Sequence, residues 1–408
     1  MKVNKWTMGL AALGLISLPP TGSAEEKMNQ VWTALSSTTL SGYVNTSAHW
    51  NTGTGNGFTP AIAYNGSSKQ DGFNLNAVKV AIEKPLDEAQ WAAGYKAELI
   101  YGPDAVSYLT TLDSNPATGG DSSPASIKQA YVSLRAPVGN GLDFKMGVFD
   151  TIIGYEVFDG GNNPNYTRSY GFTIEPTTHT GLLGSYQLCK AASVSVGIAN
   201  THGPAINEKA DAGGLHAESY KTYMAAVALT APEDWGSMGG STAYAGVVNG
   251  LNTAGPAVQT SWYVGMTLNT PVKALKVGAS FDYLGTTDRY GADDSYANAW
   301  ALYTSFQATE KLSLHLRGEY ASTDTGIFGD VAAPMPPGEN SEIFALTGTL
   351  QYDLWKNVLS RLEIRWDHLA GSFLQTGYGG TPAGGGGGGT TGSKRNNVLI
   401  AANVIYKF

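Results

Sequence analysis

Apolar and mixed positions alternate clearly in the segment 397–408. One set of alternate positions is wholly apolar and ends in two aromatic residues: Val398, Ile400, Ala402, Val404, Tyr406 and Phe408. The positions between them are mixed and partly polar: Asn397, Leu399, Ala401, Asn403, Ile405 and Lys407. Because a period of two places successive side chains on opposite faces of a strand, the pattern predicts a strand whose two faces meet different surroundings.

Similar alternating segments recur from about residue 38 to the end of the chain. They number about sixteen, each close to the roughly 10 residues that a tilted membrane strand requires. The connections between them alternate between short turns and long polar stretches, as in outer-membrane barrels with short periplasmic turns and long extracellular loops. A β-sandwich has no reason to alternate in this way. The pattern therefore predicts an all-β fold, a transmembrane antiparallel β-barrel of about 16 strands.

The two faces of the predicted strands separate lipid from water. In the segment 359–368 the apolar set is Leu362, Ile364 and Trp366, and the opposite set is Arg361, Glu363, Arg365 and Asp367. Unpaired charges are too costly to bury in a dry core, so the charged faces need an aqueous lumen. An open sheet edge in hydrocarbon would leave backbone groups unpaired, so the barrel must close. With about sixteen strands, side chains alone do not fill the interior.

The two ends of the chain and its composition add the compartment. Lys2 and Lys5, an apolar stretch to Leu18 and small residues to Ala24 predict a signal peptide over 1–24. A periplasmic segment, 25–37, and the barrel, 38–408, follow, which places the protein in the bacterial outer membrane. Charged residues make up 14% of the chain, against about 25% in soluble domains. The formal charge of −8 argues against nucleic acid as a partner.

Candidate chemistry is sparse. The six histidines show none of the paired spacings of a zinc site, and we expect no cofactor. A barrel can host a serine–histidine pair on neighbouring strands, for which His315 with Ser313 or Ser280 is the nearest candidate. No motif marks a nucleophile, so we predict that the protein is not an enzyme.

Three stretches of the chain resemble the β-barrel porins of the second type (BBP2) of Gram-negative bacteria. They are VWTALSSTTLSGYVNTSAHWN at 31–51, IKQAYVSLRAPVGNGLDFKMGVFDTIIGYE at 127–156 and PTTHTGLLGSY at 176–186. The resemblance implies a porin embedded in outer-membrane lipid. It also implies that Phe408 belongs to the signal read by the barrel-assembly machinery, and that the protein forms a homotrimer as general porins do.

The resemblance to general porins also points to a pore-narrowing loop at 151–178. In such porins the loop brings acidic residues opposite basic residues of the wall. The loop candidates here are Glu156, Asp159 and Glu175, with Arg168 as an exception to the acidic pattern. The candidate wall charges, chosen by strand face, are Lys79, Lys96, Arg135, Lys145, Arg317, Glu319, Arg361, Glu363 and Arg365.

Opposed charges across a constriction would create a transverse field that favours small polar solutes. The alternative is that the wall charges pair locally, as Arg361 with Glu363 or Arg317 with Glu319. The mixed signs argue against strong ion selectivity. We therefore predict a passive diffusion channel for small hydrophilic solutes. A solute-specific channel, for example for sugars, and a loop-blocked structural or adhesive barrel are the alternatives.

Overall fold

The computed structural model describes most of the predicted barrel. The described residues are 38–53, 55–66, 69–107, 125–210, 219–251, 257–287, 294–324, 327–328, 339–370, 377–381 and 390–408. The predicted signal peptide and the segment 25–37 lie outside these ranges, so both stay predictions.

Sixteen strands of the described chain form one closed antiparallel barrel, which confirms the predicted fold class. They are β1 (Thr39–Asn51), β2 (Gly72–Lys84), β3 (Ala93–Tyr101), β4 (Ala125–Ala136), β5 (Leu142–Asp150), β6 (Thr178–Cys189), β7 (Ala192–Ala199), β8 (Thr222–Thr230), β9 (Thr242–Leu251), β10 (Val258–Asn269), β11 (Leu275–Thr287), β12 (Ser295–Gln307), β13 (Leu312–Thr323), β14 (Ser341–Trp355), β15 (Val358–Leu369) and β18 (Asn396–Lys407). Each strand pairs with its neighbour along the chain, except that β15 pairs with β18 across a long connection.

Two short strands lie outside the barrel, in the connection between β15 and β18. Gly377–Thr381 (β16) pairs with Thr390–Gly392 (β17). The Tyr378 ring is buried and stacks on Phe58 with a centroid distance of 6.1 Å. The buried Tyr378 ring, packed against the partly buried Phe58, joins β16 to the connection 52–71.

The seam between β1 and β18 closes the barrel. The pairing runs from Tyr43 opposite Lys407 to Asn51 opposite Leu399. Beyond it, the Gly42 N–H donates to the Phe408 carbonyl at 2.9 Å, and the Phe408 N–H donates to the Gly42 carbonyl at 3.0 Å. A Cβ on residue 42 would lie 2.6 Å from the Phe408 ring, so glycine makes room for the terminal aromatic. Closure pairs the backbone groups that an open edge would expose to lipid.

Connections of different length join the strands at the two ends of the barrel. One end, here called the periplasmic end, carries short turns such as 137–141, 190–191 and 356–357, together with the C-terminus. The other end carries long connections such as 52–71 and 200–221. The predicted alternation is confirmed in outline, although the turn 231–241 at the periplasmic end is longer than the connection 252–257 at the other.

The two faces of the strands are as predicted. Outward side chains are apolar and exposed, for example Phe73 at 88%, Leu302 at 69% and Leu362 at 61%. Inward positions hold buried charges such as Arg361 and Arg365. No helix among the described residues is long and apolar enough to span a membrane. The outer surface is therefore an apolar belt suited to lipid, and the polar chemistry lies inside.

Candidate functional site: the loop inside the barrel

The connection between β5 and β6, residues 151–177, folds into the barrel and contacts inward residues of distant strands. Asn165 Nδ2 donates to Thr349 Oγ1 of β14 at 2.7 Å, and the Tyr166 N–H donates to Glu363 of β15 at 2.6 Å. A short helix, α1 (Tyr170–Ile174), follows, and the Ser169 hydroxyl caps it by accepting from the Phe172 N–H at 3.1 Å. We call residues 151–177 the inner loop.

One charged cluster fixes the inner loop to β13 and β15. Arg317 Nη1 lies 2.8 Å from Glu156 Oε1 of the loop, and Arg317 Nε lies 2.7 Å from Glu319 Oε1. Arg365 pairs with Glu319 at 3.2 Å and with Asp367 at 2.8 Å. All five side chains are buried. The predicted local pair of Arg317 with Glu319 is therefore present, but the arginine also holds the loop.

A second charged cluster joins the inner loop to β2, β3 and β4. Lys79 contacts both Glu98 and Asp159, at 3.2 and 2.5 Å. Lys96 lies 3.1 Å from Glu98, while Lys128 lies 2.6 Å from Asp150. Burial alone would raise the pKa of the Asp159 carboxyl, but Lys79 and Lys128 outweigh it and hold that pKa below its usual value. Asp159 therefore anchors the loop as a carboxylate.

Lys128 was missing from the candidates chosen by strand face, because of a β-bulge. The register between β3 and β4 passes from Glu98 opposite Gln129 to Leu99 opposite Ile127, so Lys128 has no residue opposite it on β3. Lys128 and Gln129 are consequently both buried. A bulge breaks the period of two on which the choice of face depends, so the alternating pattern could not find this lysine.

Two further arginines bind backbone carbonyls of the inner loop. Arg361 donates to the carbonyls of Gly160 at 2.8 Å and Asn163 at 2.5 Å. Arg168 donates to the Phe158 carbonyl at 2.6 Å. The alternative pair of Arg361 with Glu363 is not formed, because Glu363 accepts hydrogen bonds from loop N–H groups, including that of Thr167 at 2.9 Å.

The remaining candidates lie apart from these two clusters. Arg135 pairs with Asp143 at 2.6 Å beside the turn 137–141. Lys145 Nζ lies 4.7 Å from the centroid of the Tyr131 ring. Glu175, at the end of α1, lies in hydrogen-bonding contact with Asp282 of β11. The resemblance to general porins implied a basic wall opposite Glu175, but the side chain that Glu175 meets is a second acid.

An apolar wall of the lumen holds the start of the inner loop. Ile152 and Ile153 pack with Leu183, Met224 and Val248, inward residues of β6, β8 and β9. These inward apolar residues were not among the wall residues expected from the sequence, which were all charged. The loop thus spans the lumen, from the apolar wall at its start to the charged clusters further along.

A cavity of about 550 Å³ remains between the inner loop and the periplasmic end of the barrel. Its lining combines tyrosines with polar residues and a lysine, and includes Tyr155, Tyr244, Tyr263, Tyr303, Lys276 and Gln351. On the other side of the loop, a much smaller pocket of about 20 Å³ is lined by His49, Lys69 and Asp104, among others. Lys69 and Asp104 form an ion pair.

Among the described residues, His315 contacts a serine of the neighbouring strand β12, although not one of the two considered from the sequence. His315 Nδ1 lies 2.9 Å from Ser305 Oγ, whereas the serines considered were Ser313 and Ser280. In the same part of the chain, no group of three or more His, Cys, Asp or Glu residues is placed to hold a metal ion.

A closed sixteen-stranded barrel with an apolar outer belt, a charged interior and a loop folded into its lumen is the architecture of an outer-membrane porin. The family model of beta-barrel porin-2, OmpL-like (BBP2), matches residues 37–408. The chain belongs to this family, which confirms the resemblance noted from the sequence. Its family and fold are those of an outer-membrane diffusion channel.

Solved porin structures share the fold at low sequence identity. The anion-selective porin from Comamonas acidovorans is 13% identical with a TM-score of 0.55, over 91% of this chain and 99% of that chain. The outer-membrane channel DcaP of Acinetobacter baumannii is 12% identical with a TM-score of 0.59, over 93% and 100%. OmpT of Vibrio cholerae in a trimer form is 12% identical with a TM-score of 0.53, over 91% and 99%. No curated protein matches the chain by sequence.

Proposed function

We propose that the protein is a passive diffusion channel for small hydrophilic solutes whose pore is narrowed by the inner loop. The observation that carries the proposal is the attachment of this loop to opposite sides of the lumen. Ile152 and Ile153 hold its start on the apolar wall, while Glu156 and Asp159 hold its middle on the charged walls. A loop fixed at both sides restricts the lumen at a constant place, which is the property a size sieve needs.

The role of the charged residues differs from a simple transverse field across an open gap. Glu156 and Asp159 are in direct contact with basic residues of the wall. Buried pairs of this kind position the loop, because separating them would leave an uncompensated charge in a low-dielectric site. We infer that these residues set the width of the pore, and that charges facing open space set its preference among solutes.

The proposal is tested by the single-channel conductance of the refolded, signal-free chain in planar bilayers. We expect ohmic steps in symmetric KCl. Replacing 156–169 with a short glycine–serine linker should give larger steps, because the restriction is removed. A matched control shortens the exposed turn Glu233–Met238, outside the lumen, and should leave the step size unchanged. Equal steps from wild type and loop variant would contradict the constricting role.

A loop-blocked structural or adhesive barrel is the second candidate. The observation that favours it is the thorough burial of the loop side chains, such as Tyr170 at 0% exposure. A wild-type protein that is folded and inserted but electrically silent would support this candidate and overturn the channel proposal. A solute-specific channel, for example for sugars, would instead conduct and show saturable block by one solute.

Export and assembly complete the proposal. Residues 1–24 would direct export, and Phe408, at the seam of the barrel, would be read by the barrel-assembly machinery. We also propose a homotrimer in outer-membrane lipid, which is supported by the trimer form of the structurally similar Vibrio cholerae OmpT. Cross-linking of the protein in native membranes tests the trimer, since a band at three times the monomer mass is expected.

A further inference from the structure

The cavity on the periplasmic side of the inner loop has an unusual charge composition for this barrel. Its lining includes Lys276 of β11 and no aspartate or glutamate. The clusters described above instead pair every lysine with acidic residues, as Lys96 with Glu83 and Glu98. Lys276 is exposed, and within the described part of the chain no hydrogen bond or ion pair engages it. Its ammonium group is therefore available to an anion in the cavity.

Two more cations donate hydrogen bonds to the backbone of the inner loop near the cavity. Lys407 Nζ donates to the Gly161 carbonyl at 3.0 Å, and Arg361 donates to the neighbouring carbonyls. Neither forms an ion pair with a carboxylate of the described residues, but Glu363 and Glu156 act on Arg361 through space, and Asp159 acts on Lys407. Asp353, exposed near the end of β14, is a carboxylate close enough to act on both. It does not line the cavity.

Tyrosine rings supply the apolar part of the cavity. The rings of Tyr155 and Tyr303 stack with centroids 4.1 Å apart. The Tyr155 hydroxyl accepts from Thr267 Oγ1 at 3.1 Å, and residue 278 is a glycine at the point where a Cβ would collide with this hydroxyl. The wall strand is therefore shaped to receive Tyr155. Amphipathic rings of this kind pack against apolar groups while leaving polar edges available.

We propose that this cavity is a selectivity site for small organic anions, in which Lys276 binds the acidic group and the tyrosine rings contact the apolar body. Lys276 is the one lysine, arginine or carboxylate residue of the cavity lining, so it sets the sign of the charge that the cavity presents to a solute. Low-dielectric walls focus the field of a single charge into a narrow aqueous space. The inference rests on the proposed function, since it needs solutes to pass the cavity.

The first test is the reversal potential of the refolded chain in a KCl gradient. We expect the wild type to prefer chloride, and Lys276→Glu to lower the chloride-to-potassium permeability ratio by about threefold or more through the reversed local field. Lys273→Glu makes the same change of charge in the exposed turn 270–274, outside the cavity lining, and should stay near the wild-type ratio. A wild-type preference for potassium, or equal ratios for the two variants, would overturn the proposal.

The second test separates binding from general charge preference. Sodium benzoate added to KCl should reduce the chloride current saturably in the wild type, while acetate, which lacks a ring, and benzyl alcohol, which lacks the charge, should block far less. Lys276→Gln should abolish the block by benzoate. Conduction without any block by benzoate overturns this inference alone, whereas an inserted but silent protein overturns it together with the proposed function.

Discussion

Arg317 illustrates how one inward residue holds wall and loop together. Its guanidinium donates to Glu319 of the same strand, to Glu156 of the inner loop and to the Thr167 carbonyl, at 2.7 to 2.8 Å. A buried arginine is tolerated when its fixed fork of N–H donors is satisfied by well-placed acceptors. The alternating pattern placed Arg317 inside and suggested Glu319. It did not connect Arg317 with Glu156, 161 positions away along the chain; only the resemblance to general porins placed that acid opposite the basic wall.

At this scale, Glu156→Leu should loosen the inner loop. Removing one partner of a buried ion pair typically costs about 3–5 kcal/mol, and the cost here should fall toward the lower end, because Arg317 loses Glu156 but keeps Glu319. We expect a lower urea midpoint for unfolding in detergent micelles and noisier single-channel currents. Glu310→Leu, in the exposed turn 308–311, is the control. A Glu156→Leu protein as stable and as quiet as the control would refute the anchoring role.

At the scale of the element, the position of the inner loop depends on contacts at both of its ends. Its C-terminal end carries Glu175, which meets Asp282 of β11, with Glu156 as a further negative neighbour. The backbone comes close to both acids, since a Cβ on Gly154 would collide with the Glu175 carboxyl, and one on Gly171 with the Asp282 carboxyl. Two acids in contact are stable together when a proton is shared between them.

This contact predicts a pH dependence of the loop. Burial, and then the Asp282 carboxyl, raise the pKa of Glu175 well above its ordinary value. A raised carboxyl pKa means that the folded state keeps a proton that the unfolded chain releases above its ordinary pKa of 4.5. Loop attachment is therefore most favourable below that pH and weakens as the pH rises above it.

Hydrogen exchange of residues 151–177 as a function of pH measures this effect. Exchange corrected for its intrinsic pH dependence should quicken as the pH rises in the wild type. Glu175→Gln cannot ionise and should weaken the trend, because only Asp282 of the pair can then release a proton, while Glu88→Gln, in the exposed turn 85–92, should preserve it. A Glu175→Gln protein with the wild-type trend would show that another group is responsible.

For the whole molecule, the sequence was sufficient to predict the features that the boundary between lipid and the polar interior imposes on every strand. Lipid outside and polar surroundings inside impose the period of two, so strand number, closure and the outward position of residues such as Leu362 followed from the pattern. The arrangement of the interior did not follow from the pattern, because the apolar wall around Met224 and Val248 shows the same alternation as a lipid-facing surface. The bulge at Lys128 and the loop contacts depend on tertiary packing that no local pattern encodes.

The orientation of the barrel can be tested with a residue already present. Cys189 is the one cysteine of the sequence, and it is exposed at the end of β6, beside the turn 190–191. A maleimide on a polyethylene glycol too large for the pore should label it only after the outer membrane is permeabilised. Cys189→Ser combined with Lys209→Cys, in the connection 200–221, should label in intact cells. The reverse pattern would invert the assignment of the two ends.

The distance along the chain between the inner loop and its partners has a consequence for the order of assembly. Tyr166 and Tyr170 of the loop bind Glu363 and Asp367, each 197 positions later. The β5–β6 hairpin is local in sequence, whereas these contacts need β15 in the same barrel, and long-range contacts form late because loop-closure entropy must be overcome first. The loop must therefore wait until β15 is in place. The lumen acquires its final shape in the last stage of biogenesis, and an unfinished barrel would have a wider and less selective interior than the mature one.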